Sequence, residues 1–555
     1  MTIHFAAGAR AADALIQDYV VRRIWDRDIS VWAAAPGSAD AKSIETRLGW
    51  LDVARTTAPE LGRLVALGDA VKAEGIRAVY LLGMGGSSLC AEVLASVFGV
   101  GEGYPQLVVL DTTDELTITS AASRLEPGKT MFLVSSKSGG TVEVASMERF
   151  FWQRMTAALG TRTGRHFVAI TDPGTALQQL ALSRGYRDVF VNPADIGGRF
   201  SALSLFGLVP AALIGAPVKA IAGGGKTMAD GCRQENDANS GLELGAFIGA
   251  AVREGRDKLT VALSPKLASL GLWIEQLIAE STGKHGTGAL PVVDEPLGRP
   301  DEYGNDRAFV AIATEIDEPD AAKLSALEAA GHPLLRLTTR VDGLGAEFFR
   351  WEFATAIAGA VLGINPFDEP NVSEAKEKTK ALLAAYVSSG KLPEPAVVAQ
   401  NGSVSVFSKK FTGSSPAAVV RNAVDSLRPG DYVAFLSYLP AESDVHLAIA
   451  EVRQAIRSRT HAASTFGVGP RYLHSTGQYH KGGPNTALAF VITADDETET
   501  EIPQAGYTFS MLKRAQALGD VQTLEAHDRR TVRLRVRDAN AAAGTIERLF
   551  AEALT

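Results

Sequence analysis

From residue 78 onward, short apolar runs rich in β-branched and aromatic residues alternate with stretches of helical periodicity. The runs at 78–82, 107–110, 131–134, 167–170 and 188–191 read as strands, each followed by turn residues and in most cases by a helix. That succession is the pattern of parallel βαβ units, whose ligands bind beyond the carboxyl ends of the strands. A second series at 258–262, 308–313 and 334–337 follows a linker-like stretch at 236–240. Residues 387–403, with their Ser, Gly and Pro, read as a further linker before strands near 432–436, 487–492 and 532–536. Ahead of all this the chain reads as helical, with amphipathic patterns at 12–25 and 48–67 on either side of a Pro36-Gly37-Ser38 loop. The expected division is a helical segment 1–75, α/β units 76–235 and 236–390, and a carboxy-terminal α/β unit 400–555. The longest apolar stretch, 203–221, is broken by Gly207, Pro210, Gly215 and Pro217. It reads as a buried helix and loop, not a membrane span.

Composition narrows the setting more than the function. A chain of 555 residues is too long for one core and suggests about three to four domain-sized units. With 46% hydrophobic and 21% charged residues it is ordinary globular protein. A net charge of −8 and a pI near 5.7 argue against a nucleic-acid partner or an acidic membrane surface. Cys90 and Cys232 are too few for a disulfide framework or a cysteine metal site. The amino-terminal Met1-Thr2-Ile3-His4-Phe5 has no basic stretch leading into an apolar one, so no signal peptide is expected. The expectation is a cytoplasmic protein.

The candidate chemistry lies in loops that follow strands. Residues Gly83-Met84-Gly85-Gly86-Ser87-Ser88 separate the first strand from a good helix, gathering backbone N–H groups at a positive helix end. Ser135-Ser136-Lys137-Ser138-Gly139-Gly140-Thr141 repeats the design with hydroxyls and one lysine, which suits a phosphate monoester. Its spacing is not that of a nucleotide P-loop. An N-capping turn is the bland alternative for either loop. A dinucleotide site at Gly83–Ser88, with Asp111 as the ribose acid, is weaker because the third glycine is missing. Arg199 follows Gly197 and Gly198 and is placed to meet an oxyanion, or is a surface arginine after a turn. On the helix near 270–282, Trp273, Leu277 and Glu280 share a face, so Glu280 is a candidate desolvated base or simply a solvated helix-end acid. Glu275 falls on another face and reads as solvated.

These motifs, with Glu280-Ser281-Thr282-Gly283-Lys284 and Phe367-Asp368-Glu369-Pro370-Asn371-Val372-Ser373-Glu374-Ala375-Lys376, stand in the order seen in phosphoglucose isomerases. Five motifs in register over about 300 residues carry the resemblance. It is nearest to the isomerase part of bifunctional transaldolase/phosphoglucose isomerases, which also carry a segment like His474-Ser475-Thr476-Gly477-Gln478-Tyr479-His480-Lys481. About 77 residues precede the first strand, too few for a transaldolase barrel. The resemblance implies two sugar-isomerase (SIS-type) three-layer αβα sandwich domains with parallel sheets, plus a carboxy-terminal α/β domain, in a homodimer. It also implies an aldose–ketose isomerase interconverting glucose 6-phosphate and fructose 6-phosphate, with no metal or cofactor. By motif, Gly85, Gly86, Ser87, Ser136, Lys137, Ser138 and Thr141 would hold the phosphate. Glu280 would move the proton between C1 and C2, Arg199 would steady the enediolate, and Lys376 would assist ring opening.

Two departures from the family pattern stand out. Asp368-Glu369 replaces a common Asp-Gln, so by resemblance Glu369 counts among the substrate-binding residues and would set an extra negative charge near the sugar. The ring-opening histidine normally lies between base and lysine, where this chain offers only His285 and His332 outside any motif. The glycine-rich segment after Lys376 points instead to His480, with His474 second. Other sugars carrying an anion at C6, such as mannose 6-phosphate or a sulfonated hexose, remain alternatives, as does a non-catalytic sugar-phosphate sensor. Glu280 and Lys376 together argue against the sensor.

Overall fold

The computed structural model describes residues 5–441, 443–496 and 498–555. Apart from Phe5, the amino-terminal run read for a signal peptide lies outside them. The strands form three sheets. The first contains β1 (Ala78–Leu82), β2 (Gln106–Leu110), β3 (Thr130–Ser135), β4 (Phe167–Thr171) and β5 (Asp188–Val191), all parallel in the order β2-β1-β3-β4-β5. The second contains β6 (Lys258–Leu263), β7 (Leu290–Val292), β8 (Arg307–Ala313) and β9 (Leu334–Thr338), parallel in the order β7-β6-β8-β9.

The side-chain alternation of these strands explains the layering. Val79, Leu81, Met131, Leu133, Val168 and Ile170 face one core, while Tyr80, Leu82, Phe132, Val134, Phe167 and Ala169 face the other. Both faces are apolar, so helices cover both, as in α/β folds generally. The first core is continuous with one face of the second sheet through Leu259, Val261, Val310 and Ile312, and through the helix Leu344–Leu362.

The third sheet holds β10 (Ala399–Gln400), β11 (Val404–Phe407), β12 (Tyr432–Ser437), β13 (Ala463–Val468), β14 (Ala487–Ala494) and β15 (Arg530–Val536), in the order β10-β11-β15-β14-β12-β13. It is parallel except where β11 meets β15 and β10. This unit is wedged against the other two. Its helix Phe509–Ala526, with Val372–Ser389, covers the second face of the first sheet, and Phe150 meets Phe509 edge to face at 5.5 Å. That geometry adds about 1 kcal/mol to the burial itself. Ala279, Leu290 and Val292 of the second unit share a core with Tyr432, Leu473 and Tyr479.

The differences from the sequence reading have local causes. The pattern at 12–25 becomes two helices, Ala6–Gln17 and Val20–Trp25, because Tyr19 takes a left-handed conformation (φ 52°) between them. The pattern at 48–67 is broken by Pro59, and the long helix runs Leu61–Ala73. β7 escaped notice because it is three residues long with a central proline, tolerable at a sheet edge. β13 reads Ala-Ser-Thr-Phe-Gly-Val, too polar to register as a strand, and also sits at an edge. β10 lies inside the stretch read as linker. The apolar stretch at 203–221 contains the buried helix Leu205–Leu213, with Pro210 within it. Among the described residues no helix is long and apolar enough to cross a membrane.

Candidate active site

β1 and β3 are neighbours in register, Leu82 beside Val134, so the loops that leave them emerge side by side. Both open into a cavity of about 420 Å³ lined by Gly85, Gly86, Ser87, Lys137, Ser138 and Thr141 from these loops. Gly198, Arg199, Gln276, Glu280, Glu369, Lys376 and His474 complete its wall, with Arg47 from the amino-terminal segment. A larger cavity of about 670 Å³ adjoins it, sharing Ser138, Thr141, Val372, Lys376 and His474 and walled mainly by apolar side chains such as Leu383, Val387 and Leu473. The converging hydroxyl, guanidinium and carboxylate groups belong to the smaller one.

Two glycines let three loops meet. A Cβ on Gly86 would stand 2.0 Å from the carbonyl oxygen of Gly198, and one on Gly85 (φ +54°) 2.6 Å from that of His474. Ser136 is buried behind the loop, its hydroxyl 3.2 Å from that of Thr141. Lys137 is not free: its ammonium pairs with Asp172 and donates to the carbonyl of Ala194 at 2.9 Å.

Arg199 is 3% exposed and held by four hydrogen bonds. Its Nε donates to Ser281 Oγ at 2.7 Å, Nη2 to the carbonyls of Pro366 and Asp368 at 2.8 and 2.9 Å, and Nη1 to Glu369 Oε2 at 3.0 Å. The same Nη1 lies 3.8 Å from Glu280 Oε1. Lys284 anchors the same loop, donating to the carbonyls of Asn365 and Asp368 and to Asp368 Oδ1. Burial pulls the Lys284 ammonium down to about 8, against the opposing charge of Asp368.

Glu280 is buried near the end of the helix Leu270–Thr282 and accepts 3.2 Å from Gln276 Nε2, one turn earlier. Burial raises its carboxyl above the ordinary range; Arg199 opposes this and Glu369 adds to it, while His474 and Lys284 also oppose. Gln276 Nε2 also donates to the carbonyl of His474 at 2.8 Å. His474 Nε2 lies 3.0 Å from Glu143 Oε1, which accepts from Gln516 Nε2 at 2.7 Å; Thr113 Oγ1 in turn donates to Gln516 at 2.7 Å. Burial alone would raise Glu143, but the His474 imidazole holds it below the usual range. The third unit thus sends a carboxylate-oriented histidine into a cavity built by the first two.

Two expectations need correction, and two further acids have partners that the sequence did not show. His480 is not at the cavity: it is 2% exposed inside the third unit, with Nδ1 2.8 Å from Tyr432 Oη and its ring stacked on Tyr432. The short helix Gly477–Gly482 turns it away from the side that His474 faces. Glu275 is buried, not solvated, and burial with Asp294 nearby lifts its carboxyl to about 8. Asp111, the acid of the weaker dinucleotide reading, pairs with Arg471 at 2.7 Å and accepts from Ser88 Oγ at 3.2 Å. The extra charge of Glu369 is met by Arg47, which grips it with both terminal nitrogens at 3.1 Å. His285 is exposed and His332 only reaches the carbonyl of Pro300. Gln276, Arg47, Glu143, Gln516 and Lys284 received no role from the sequence. Only Gln276 carried a signal, one turn before Glu280 on the same face.

Burial depresses the His480 imidazole to about 3, against about 6.5 when free. Between those values the unfolded chain holds the extra proton, so acid favours unfolding, and the loss begins as pH falls through about 6.5. From pH 7 to pH 5 this group should cost the protein about 2 kcal/mol. Urea unfolding at the two pH values should show a decrement smaller by that amount in His480→Asn. An equal decrement in both proteins would mean the histidine is not held neutral.

Residues 63–299 match the family model described as phosphoglucose isomerase. That segment is similar to phosphoglucose isomerases. The glucose-6-phosphate isomerase of Staphylococcus saprophyticus is 28% identical over 386 residues, 60% of this chain and 86% of that one. The one from Rubrobacter xylanophilus is 28% identical over 402 residues, 61% of this chain and 90% of that one. Among solved structures, a hypothetical protein from Thermus thermophilus is 25% identical with a TM-score of 0.59, covering 68% of this chain and 96% of that one. A glucose-6-phosphate isomerase from Chlamydia trachomatis, at 18% identity and a TM-score of 0.55, shares the fold over 70% of this chain and 87% of its own. The phosphoglucose isomerase match includes the two anion loops, Arg199 and Glu280; Glu369, Lys376 and His474 lie beyond it.

Proposed function

We propose that the protein interconverts glucose 6-phosphate and fructose 6-phosphate. The observation that carries this is the buried Glu280 carboxylate set against Arg199, in the same cavity as the two adjacent anion loops. A cavity of about 420 Å³ suits a small polar ligand. The loops at 83–88 and 135–141 would take the phosphate with backbone N–H groups and hydroxyls, Lys137 adding charge while remaining paired with Asp172. His474 and Lys376 would exchange the proton that opens the ring. Glu280 would then take the proton from C2 of the aldose and return it to C1, while the O2 hydroxyl proton passes to O1, giving the ketose with no net gain or loss of electrons. A desolvated carboxylate suits this step because burial raises its affinity for a proton above that of an ordinary glutamate. Charge that develops on the enediolate oxygens would meet Arg199, already fixed by four hydrogen bonds and needing no reorganisation.

Action in the cytoplasm fits the free, buried Cys90 and Cys232. A homodimer is part of the same reading and rests on the family resemblance. The roles of Ser87, Ser136, Ser138 and Thr141, and the domain boundaries given above, are likewise proposals. The test is a coupled assay of fructose 6-phosphate formed from glucose 6-phosphate by the full chain. Turnover at a rate ordinary for an enzyme, about 1–1000 per second, is expected. No turnover with this sugar, but turnover with mannose 6-phosphate or a sulfonated hexose, would move the assignment to that substrate.

A further inference from the structure

The Arg47 guanidinium comes from a segment with no part in either anion loop, yet it lies on the cavity wall. Its Nη1 donates to Glu369 Oε2 and its Nη2 to Glu369 Oε1, both at 3.1 Å, and Nη1 also reaches the carbonyl of Phe367 at 2.5 Å. Glu369 Oε2 accepts in addition from Arg199 Nη1 at 3.0 Å. Three of its N–H contacts are therefore to arginine, and Oε2 is doubly occupied. A carboxylate gripped in this way is poorly placed to serve as the sugar's ligand. What it does have is a hold on Arg199. The nitrogen it engages is the one that faces Glu280 Oε1 at 3.8 Å, so two carboxylates share the charge of one guanidinium nitrogen, and Glu369 lies nearer.

We propose that Arg47, Glu369 and Arg199 form one charge relay that positions Glu280 and determines how firmly its ionised form is held. Glu369 is then a positioning residue and not a sugar ligand. The proposal rests on the reading of Glu280 as the base. Arg47 acts only through Glu369: it satisfies that carboxylate and so limits how much of Arg199 it draws away from Glu280. The other groups that face Glu280 are fixed by different partners. Gln276 is shared with the His474 carbonyl, Lys284 is taken up by Asp368, and His474 is tied to Glu143. Lys376 lines the same cavity from the helix Val372–Ser389. Of these groups, only Glu369 brings a second negative charge to bear on Glu280.

The consequences have opposite signs. Removing the charge of Glu369 leaves Arg199 undivided, so Glu280 stays ionised to lower pH. Removing Arg47 leaves Glu369 short of a partner and more strongly drawn to Arg199, so Glu280 becomes protonated at higher pH. In Glu369→Gln the acid limb of kcat/KM should move down by roughly one pH unit, and in Arg47→Met it should move up by a smaller amount. The double variant should match Glu369→Gln, since Arg47 has nothing left to act through. Shifts of one sign in both single variants, or a double variant equal to their sum, would overturn the relay. So would unshifted limbs with only KM changed. The protonated-carboxyl band in difference infrared spectra, assigned by its loss in Glu280→Gln, reads the same titration without turnover. A chain that fails to isomerise hexose phosphates but shows these band shifts would refute the proposed function and leave the relay standing. Active protein with unmoved bands would do the reverse.

Discussion

Glu280→Gln is expected to lower kcat for glucose 6-phosphate by about a thousandfold or more, with KM changed little. The substitution keeps shape and a hydrogen-bond acceptor for Gln276, but removes the carboxylate proposed to take the proton from C2. General-base contributions run to about 10²–10⁴, and a base buried against a fixed cation belongs at the upper end. Stability should not fall. Burial already disfavours the charged carboxylate, and a neutral amide removes that penalty while leaving Arg199 paired with Glu369. Chemical denaturation of the variant should show a midpoint at or above the parent's. Steady-state assays with either hexose phosphate settle the matter, and undiminished kcat would assign the proton transfer to another residue.

His474→Asn should lower kcat by about a hundredfold and leave KM close to the parent value. The anion loops, which set ground-state affinity, are untouched, while proton exchange with the ring oxygen is lost. Glu143 engages Nε2, which leaves Nδ1 as the nitrogen for the substrate. Asparagine can still meet Glu143 but cannot relay a proton. The opposite split, a raised KM with kcat intact, would mean that His474 is only part of the wall.

The strands that were legible in the sequence are those where Val, Leu, Ile and Phe dominate, at the sheet centre and, in β2 and β5, at its edge. β1 and β5 have the bounds their residues suggest. β7 and β13 were not, because a proline and a Ser-Thr pair suit edge strands by tertiary placement, not by local pattern. Gly83–Ser88, Arg199 and Glu280 could be found because chemistry and helix geometry constrain them locally. His474 and His480 sit in one glycine-rich segment with equal claims, and only the direction in which the helix Gly477–Gly482 packs separates them. Arg47 is one arginine among several ahead of the first strand. Nothing about its neighbours announces a partner 322 residues away.

The wedged position of the third sheet bears on how the protein comes to life during synthesis. Its loop carries His474, and its helix Phe509–Ala526 carries the Gln516 that steadies Glu143. Arg471 pins that loop to Asp111 and Glu92 of the first unit. On the proposed roles, a chain whose third sheet has not yet docked would carry the anion loops, Arg199 and Glu280 but no His474, and the first sheet's second face would lack part of its cover. Competence would then come only with the docking of that unit.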